Sequence, residues 1–409
     1  MLTLSQIFLY FRSAVYLYWA MSAALLGYWA VYFEGEKGFA VAKIGLMMSM
    51  YVGAALIGQY FFGYLCDKLQ SIRIPVSLAA VLFALLATAI PTLSDKVWIY
   101  PCMALVGFFQ QPIGPMLDSW TLKHLSRHDQ RTLFGKIRGF GSLGWATVAL
   151  LTAYLIFYYS WNMMFIVSVL AGLLLSGLVL LIPDVGESNS GLTQEQSETP
   201  EHSGLTMQRA LFHLFGNKAY LYILAVVFLM YLGVQTTFNF QGLLIKGTGG
   251  GVKELGWTYF FGVMSEMPAM FLSVWLLPKM APRKLMLVAG GLYMLRYGLI
   301  IYFQTSWIIM LTACLEGVAF GVMLTALRNY VFSVVAEDVQ TSAMTLVDAV
   351  FLALTVIVGG VAGGWIIDTY SAMHMLAACA CSTGLAVVLL LGGKRFDKHH
   401  ALAKANQST

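Results

Sequence analysis

Six charged side chains stand where charge is costly: Asp118, Arg138, Glu266, Arg296, Glu316 and Asp348 each lie inside a long apolar run. A carboxylate or guanidinium at the centre of a bilayer costs about 2.5 to 3.5 kcal/mol on insertion scales, so such residues line a pathway or pair with one another. A carboxylate accepts hydrogen bonds and takes up a proton, and a guanidinium donates through a planar fork. Together they suit the handling of a polar solute and a proton. Bond-making chemistry is not indicated. The chain has no His-Glu-x-x-His metal motif, no Gly-Lys-Ser/Thr phosphate loop and no nucleophile elbow, so neither an enzyme nor an ATP-driven pump is expected.

Composition tells what must position these charges. Hydrophobic residues make up 59% of the chain and charged ones 11%, whereas soluble domains carry about 25% charged residues. Lipid is therefore the solvent for most of the protein, and the net charge of +5 is no sign of nucleic-acid binding. About 20 apolar residues cross the hydrocarbon core as a helix. On that basis twelve spans are expected, at Phe8–Phe33, Val41–Leu65, Ile74–Ile90, Val97–Leu122, Phe134–Tyr158, Met163–Ile182, Lys218–Leu244, Leu255–Leu277, Lys284–Phe303, Trp307–Val334, Ser342–Ile367 and Met373–Leu391. The first span begins almost at once, without a cleavable leader pattern. The five cysteines show no Cys-x-x-Cys spacing and read as buried thiols.

A polar stretch, GESNSGLTQEQSETPEHSG, separates spans six and seven and cannot pack a core. The expected organisation is a six-helix bundle at 1–183, a cytoplasmic linker at 184–216, a second six-helix bundle at 217–392 and a cytoplasmic tail at 393–409. With both termini and the linker inside, sixteen basic residues fall on the cytoplasmic side and only Lys37, Lys43, Lys96, Lys246 and Lys253 on the other, as the positive-inside rule requires. A shift of 210 residues superposes Gly107 on Gly317, Asp118 on Arg328 and Arg138 on Asp348. The halves thus repeat with charges of opposite sign, and an acid and a base on neighbouring helices of each half lower one another's burial cost by pairing.

At about 1.5 Å of rise per residue, Glu266, Arg296 and Glu316 lie roughly 16, 18 and 14 Å from the nearest ends of their spans. All three fall near the midplane of a core about 30 Å thick. Facing one cavity, two carboxylates would share one guanidinium. The carboxylate without a full partner would exchange a proton near neutral pH. The alternative is a static Glu–Arg pair that locks helices together.

After span two, Gly63 is followed four residues later by Asp67 and Lys68. The glycine allows a close approach at the helix end, and the charges suit a latch at the cytoplasmic face. Here the chain resembles the major facilitator superfamily, whose loop between spans two and three carries Gly-x-x-x-Asp-Arg/Lys. The usual Gly-Arg that follows is replaced by Leu69 and Gln70, and the matching loop Pro278–Lys284 has no acid. The resemblance implies an all-α integral membrane protein with 12 transmembrane helices in two six-helix bundles, and gating at Gly63, Asp67 and Lys68.

Span five gives a narrower resemblance. Its run Phe134-Gly-Lys-Ile-Arg138-Gly-Phe-Gly-Ser-Leu-Gly-Trp145-Ala is similar to the Phe-Gly-x-x-Arg-x-x-Gly-x-x-Gly-Trp-Ala stretch of the lactose permease and oligosaccharide:proton symporter family. That resemblance implies substrate-binding roles for Asp118 and Arg138, which would hydrogen-bond sugar hydroxyls, and for Trp145, which would cover the ring. Packing is the alternative for Trp145. Glu266 and Arg296 stand in the family's carboxylate and arginine positions. Glu316 replaces its common histidine, and Ala319 its proton-carrying glutamate, so proton coupling would run through Glu266, Arg296, Glu316 and Asp348 by a different relay. The runs Ser265–Pro268 and Pro112–Asp118 also resemble the phenylpropionate permease branch.

Gln111 on span four and Gln235 and Asn239 on span seven can hydrogen-bond either a solute or a neighbouring helix. Span one is rich in Tyr and Trp, some expected as interfacial anchors and one or two lining the cavity. The expected protein is a secondary transporter performing proton-coupled uptake of a small polar solute, most simply a sugar or glycoside, by alternating access. Alternatives are aromatic-acid or nucleoside symport, proton-driven efflux, and a non-transporting sensor. No cofactor is expected beyond the coupling proton. The expected partners are a small-molecule substrate and the bilayer of a bacterial cell membrane, with no nucleic acid, and the chain is expected to act as a monomer.

Overall fold

The computed structural model describes residues 3–184, 214–336 and 339–393. Most of the expected linker, at 185–213, and the tail from 394 onward lie outside these residues. The described helices follow one another in the order expected from hydropathy. Ten are long and apolar enough to cross a membrane whole: α1 (Leu4–Gly35), α2 (Val41–Leu69), α3 (Arg73–Thr92), α5 (Arg131–Tyr158), α6 (Asn162–Leu180), α7 (Lys218–Gly247), α9 (Pro282–Phe303), α10 (Ser306–Val334), α11 (Ser342–Thr369) and α12 (Ala372–Gly392). Between them, α4 comprises two pieces, Lys96–Gln110 and Ile113–Ser126, and α8 is Val252–Leu276. Proline explains the break in α4. Pro112 has no N–H to donate and its ring crowds the preceding turn, so one helix stops and another starts.

Each half packs by its own contacts. Within the first, Ser168 Oγ donates to Met21 O at 2.7 Å, joining α6 to α1. Within the second, Tyr220 Oη donates to Ala343 O at 2.8 Å, joining α7 to α11. Leu174, Phe271 and Trp98 are among the large apolar side chains left exposed, as a lipid-facing surface requires.

Since the crossings alternate in direction, the described ends of the linker lie on the same face as the start of α1, here called the linker face. The contacts joining the halves gather at the opposite face. There Lys246 of α7 pairs with Glu34 of α1 at 2.5 Å, and Trp257 Nε1 of α8 donates to the Tyr154 hydroxyl of α5 at 3.3 Å. Tyr259 Oη donates to Gly27 O, at the bend in α1, at 3.0 Å. Between α2 and α11 the backbones nearly touch, so a β-carbon on Gly45 would overlap the Gly360 carbonyl. Asp368, at the end of α11, accepts from the Val41 and Ala42 amides at 2.8 and 2.7 Å. Its carboxylate caps α2, whose own N-cap residue, Ala40, has no side chain able to do so. These contacts join the halves at the face opposite the linker.

Candidate functional site

The cavity is built first by how closely α5 approaches α1. A β-carbon on Gly144 would stand 2.5 Å from the Tyr16 carbonyl oxygen, and one on Gly141 would collide with the Trp19 indole. Only glycine permits this approach. It brings Arg138 and Trp145, two turns apart on α5, against Trp19 of α1.

Asp118 comes from the second piece of α4. Its Oδ2 lies 3.6 Å from Arg138 Nε, and the two side chains are 37% and 38% exposed. This is one long contact, not a bidentate clamp, and the pair opens to the cavity. The Arg138 guanidinium carbon stands 4.8 Å from the Trp19 ring centroid, within cation–π range.

Trp145 is 8% exposed. Its ring centroid lies 5.9 Å from Trp19, 6.0 Å from Phe238 of α7 and 6.1 Å from Tyr259 of α8. It therefore occupies the junction of the two halves, away from the lipid interface. Its Nε1 is buried without a hydrogen-bond partner, as is Asn239 Nδ2 beside Phe238. Gln235 is half-buried one turn earlier on α7.

The midplane trio is arranged differently from the sequence expectation. Arg296 Nη1 is 2.5 Å from Glu316 Oε2, with side chains 1% and 13% exposed. Arg296 Nη2 donates to Gln241 Oε1 at 3.0 Å. Glu266 does not share this guanidinium. Gln241 of α7 fills the second side of the fork, and the cation whose field reaches Glu266 is Arg138 of the other half. Among the described residues Glu266 forms no ion pair. Asp348 and Arg328 likewise form none with each other; Arg328 is exposed, and both act electrostatically on the buried Tyr231. Asp348 immediately precedes the π-helical turn Ala349–Leu354 of α11.

For Gln111 the structure shows the second of the two alternatives, a bond to a neighbouring helix, and at the loop after α2 it shows no latch among the described residues. Gln111 Nε2 donates to Tyr51 Oη at 2.9 Å, Tyr51 Oη donates to Gln110 Oε1 at 2.8 Å, and Gln110 Nε2 donates to Ser22 Oγ at 2.8 Å. In this conformation these groups tie α4 to α2 and α1, leaving little of Gln111 for a solute. At the linker face Gly63, Asp67 and Lys68 are exposed and form no latch among the described residues. Helix α2 runs on to Leu69 and carries them out on its free end, where Gln70 turns the chain at φ 48°. The acid that closes this corner is Asp184, after α6. It accepts from the Ile72 and Arg73 amides at 3.1 Å each and from Ser71 Oγ at 2.5 Å. Sequence reasoning missed Asp184 and the contact of Trp19 with Arg138, for which the aromatic richness of span one was the available signal; a helix-to-helix bond from the polar residues of span seven was expected, and Gln241 makes one.

Comparison with known proteins agrees with this architecture. The sequence model of the MFS_1 like family matches residues 8–378. The chain is 23% identical over 381 residues to the uncharacterized transporter YwbF of Bacillus subtilis, covering 90% of each chain. It is 24% identical over 371 residues to the maltose permease of Geobacillus stearothermophilus, again covering 90% of each. Among solved structures it shares the fold of the nucleoside transporter NupG, with a TM-score of 0.80 at 17% identity over 94% of this chain and 98% of that one. The family model, matched along almost the whole chain, and ten helices long and apolar enough to cross a membrane make this chain a member of the MFS_1 like family: an integral membrane transporter of the major facilitator type, not an enzyme.

Proposed function

We propose that this transporter is a proton-coupled symporter that takes a sugar or glycoside into the cell by alternating access, with the linker face and both termini in the cytoplasm of a bacterial cell. The observation that carries the substrate class is the partly exposed Asp118–Arg138 pair, held by one long contact beside the Trp19 ring that packs on Trp145. Trp145 Nε1 and Asn239 Nδ2 also lack acceptors. A sugar hydroxyl both donates and accepts, so vicinal hydroxyls satisfy carboxylate, guanidinium and amide together, and an indole covers the apolar C–H face of a pyranose. The name of the maltose permease relative supports this class, and the distribution of basic residues supports the orientation.

Glu266 carries the proton in this reading. It lies between the halves without an ion pair, so protonation removes an uncompensated charge and lets the loaded halves rotate past one another. Glu316 and Arg296 hold α9 against α10. Release of substrate and proton at the linker face returns the carrier empty.

The test is the pH outside proteoliposomes on adding sugars, glycosides, nucleosides and aromatic acids. Alkalinisation by a sugar or glycoside, lost in Asp118→Asn, is expected. Alkalinisation by nucleosides or aromatic acids alone overturns the substrate class. Silence from a correctly oriented sample overturns symport in favour of efflux or sensing.

A further inference from the structure

We propose that Trp19 is a positioning residue for substrate recognition, holding the Arg138 guanidinium beside Asp118. The proposal rests on the reading of Asp118, Arg138 and Trp145 as a substrate site and adds a residue that the span-five motif does not contain.

Three observations converge on this side chain. Asp118 engages Arg138 only through Nε, at 3.6 Å. A single contact at that distance does not fix a side chain with four rotatable bonds, and the exposed pair is weakened further by solvent. The second support is the indole of Trp19, 4.8 Å beneath the guanidinium. A planar guanidinium over an indole keeps its edge free to donate, so stacking and hydrogen bonding are compatible. With Nε turned to Asp118 and Nη1 lying against Gly141 beside the Trp19 ring, Nη2 has no partner among the described residues and is the donor left for a ligand oxygen.

The indole is itself held. It is half-buried, stands at 67° to Trp145 and at 73° to Tyr18 with centroids 5.4 Å apart, and presses on Gly141, where a β-carbon would collide with it. A β-carbon there would also stand 2.9 Å from Arg138 Nη1. Gly141 is thus the one place where α5 leaves room for ring and guanidinium together. Trp19 thus carries a cation on one face and packs on Trp145 with its edge.

The experiment compares wild type, Trp19→Phe, Trp19→Leu and Gly141→Ala, purified and confirmed folded by their elution and melting. Two readouts are taken: the rate at which phenylglyoxal modifies Arg138, followed by mass spectrometry, and the protection of Arg138 by each member of the solute panel. Loss of the cation–π contact is expected to raise the modification rate of Trp19→Leu by about three- to thirtyfold, with Trp19→Phe close to wild type. Gly141→Ala, which keeps the indole but displaces it, should behave like Trp19→Leu. A sugar or glycoside should protect wild type and Trp19→Phe at concentrations about tenfold lower than Trp19→Leu. An unchanged modification rate in both Trp19→Leu and Gly141→Ala overturns the positioning role even if sugars protect wild type. A raised rate with no solute protecting Arg138 in any variant overturns the substrate reading instead, and with it the recognition role of Trp19.

Discussion

Glu266 and Glu316 are both carboxylates near the middle of the membrane, yet the structure gives them opposite circumstances. Glu316 is bound to a guanidinium that is 1% exposed, so Glu316→Gln strands a buried positive charge. Breaking such a pair from one side costs about 3 to 5 kcal/mol, and a large drop in melting temperature in detergent is expected. Glu266 has no such partner. Glu266→Gln should leave melting nearly unchanged while abolishing uphill, pH-driven accumulation and sparing exchange; an intact pH-driven gradient would remove Glu266 as the proton carrier. The six intramembrane charges were readable from sequence because each interrupts an apolar run. The pairing of Asp118 with Arg138 was readable too; which of Glu266 and Glu316 meets Arg296 was not, since it depends on rotation about each helix axis, and depth along the helix does not report rotation. Gln241 decided the matter by filling one side of Arg296.

At the scale of elements, hydropathy alone places the long apolar helices to within a few residues, because the hydrocarbon core sets their length. Breaks were less visible. Gln111–Pro112 interrupts α4 as proline chemistry predicts, but neither the bend of α1 near Gly27 nor the π turn of α11 has a comparable local signal. Helix caps illustrate the same limit. Neither α2 nor α3 carries a polar side chain at its own N-cap, Ala40 and Ile72; the carboxylates that serve them come from 327 and 112 positions away. Asp184→Ala should therefore cost about 1 to 2 kcal/mol by loss of the α3 cap, measurable as a lowered melting temperature, while Asp67→Ala, on the exposed end of α2, should cost nearly nothing in the same assay. Equal costs would restore the latch expected at Asp67.

For the whole molecule, the closed face is held by Glu34–Lys246, by Asp368 on α2, and by the bare approach of Gly45 to Gly360. A bulky side chain cannot be accommodated at that approach without parting the halves. Gly45→Trp should shift the population toward opening at this face, seen as a longer spin-label distance between Glu36 and Thr248 positions; an unchanged distance distribution would show that the closed face tolerates the insertion. The all-helical membrane fold was readable from sequence. Which face joins the halves was not, because both faces are built from equivalent helices and the balance rests on a few contacts between the halves.

One of those contacts keeps time. The amides of Val41 and Ala42 are bonded to Asp368 only while α2 and α11 meet; when the halves part there, both lose that acceptor and meet water. Their exchange with deuterium therefore counts openings of this face, amide by amide, in the unmodified protein. A solute that drives the cycle should quicken that exchange, and one that locks the closed face should slow it, without any label or mutation in the chain.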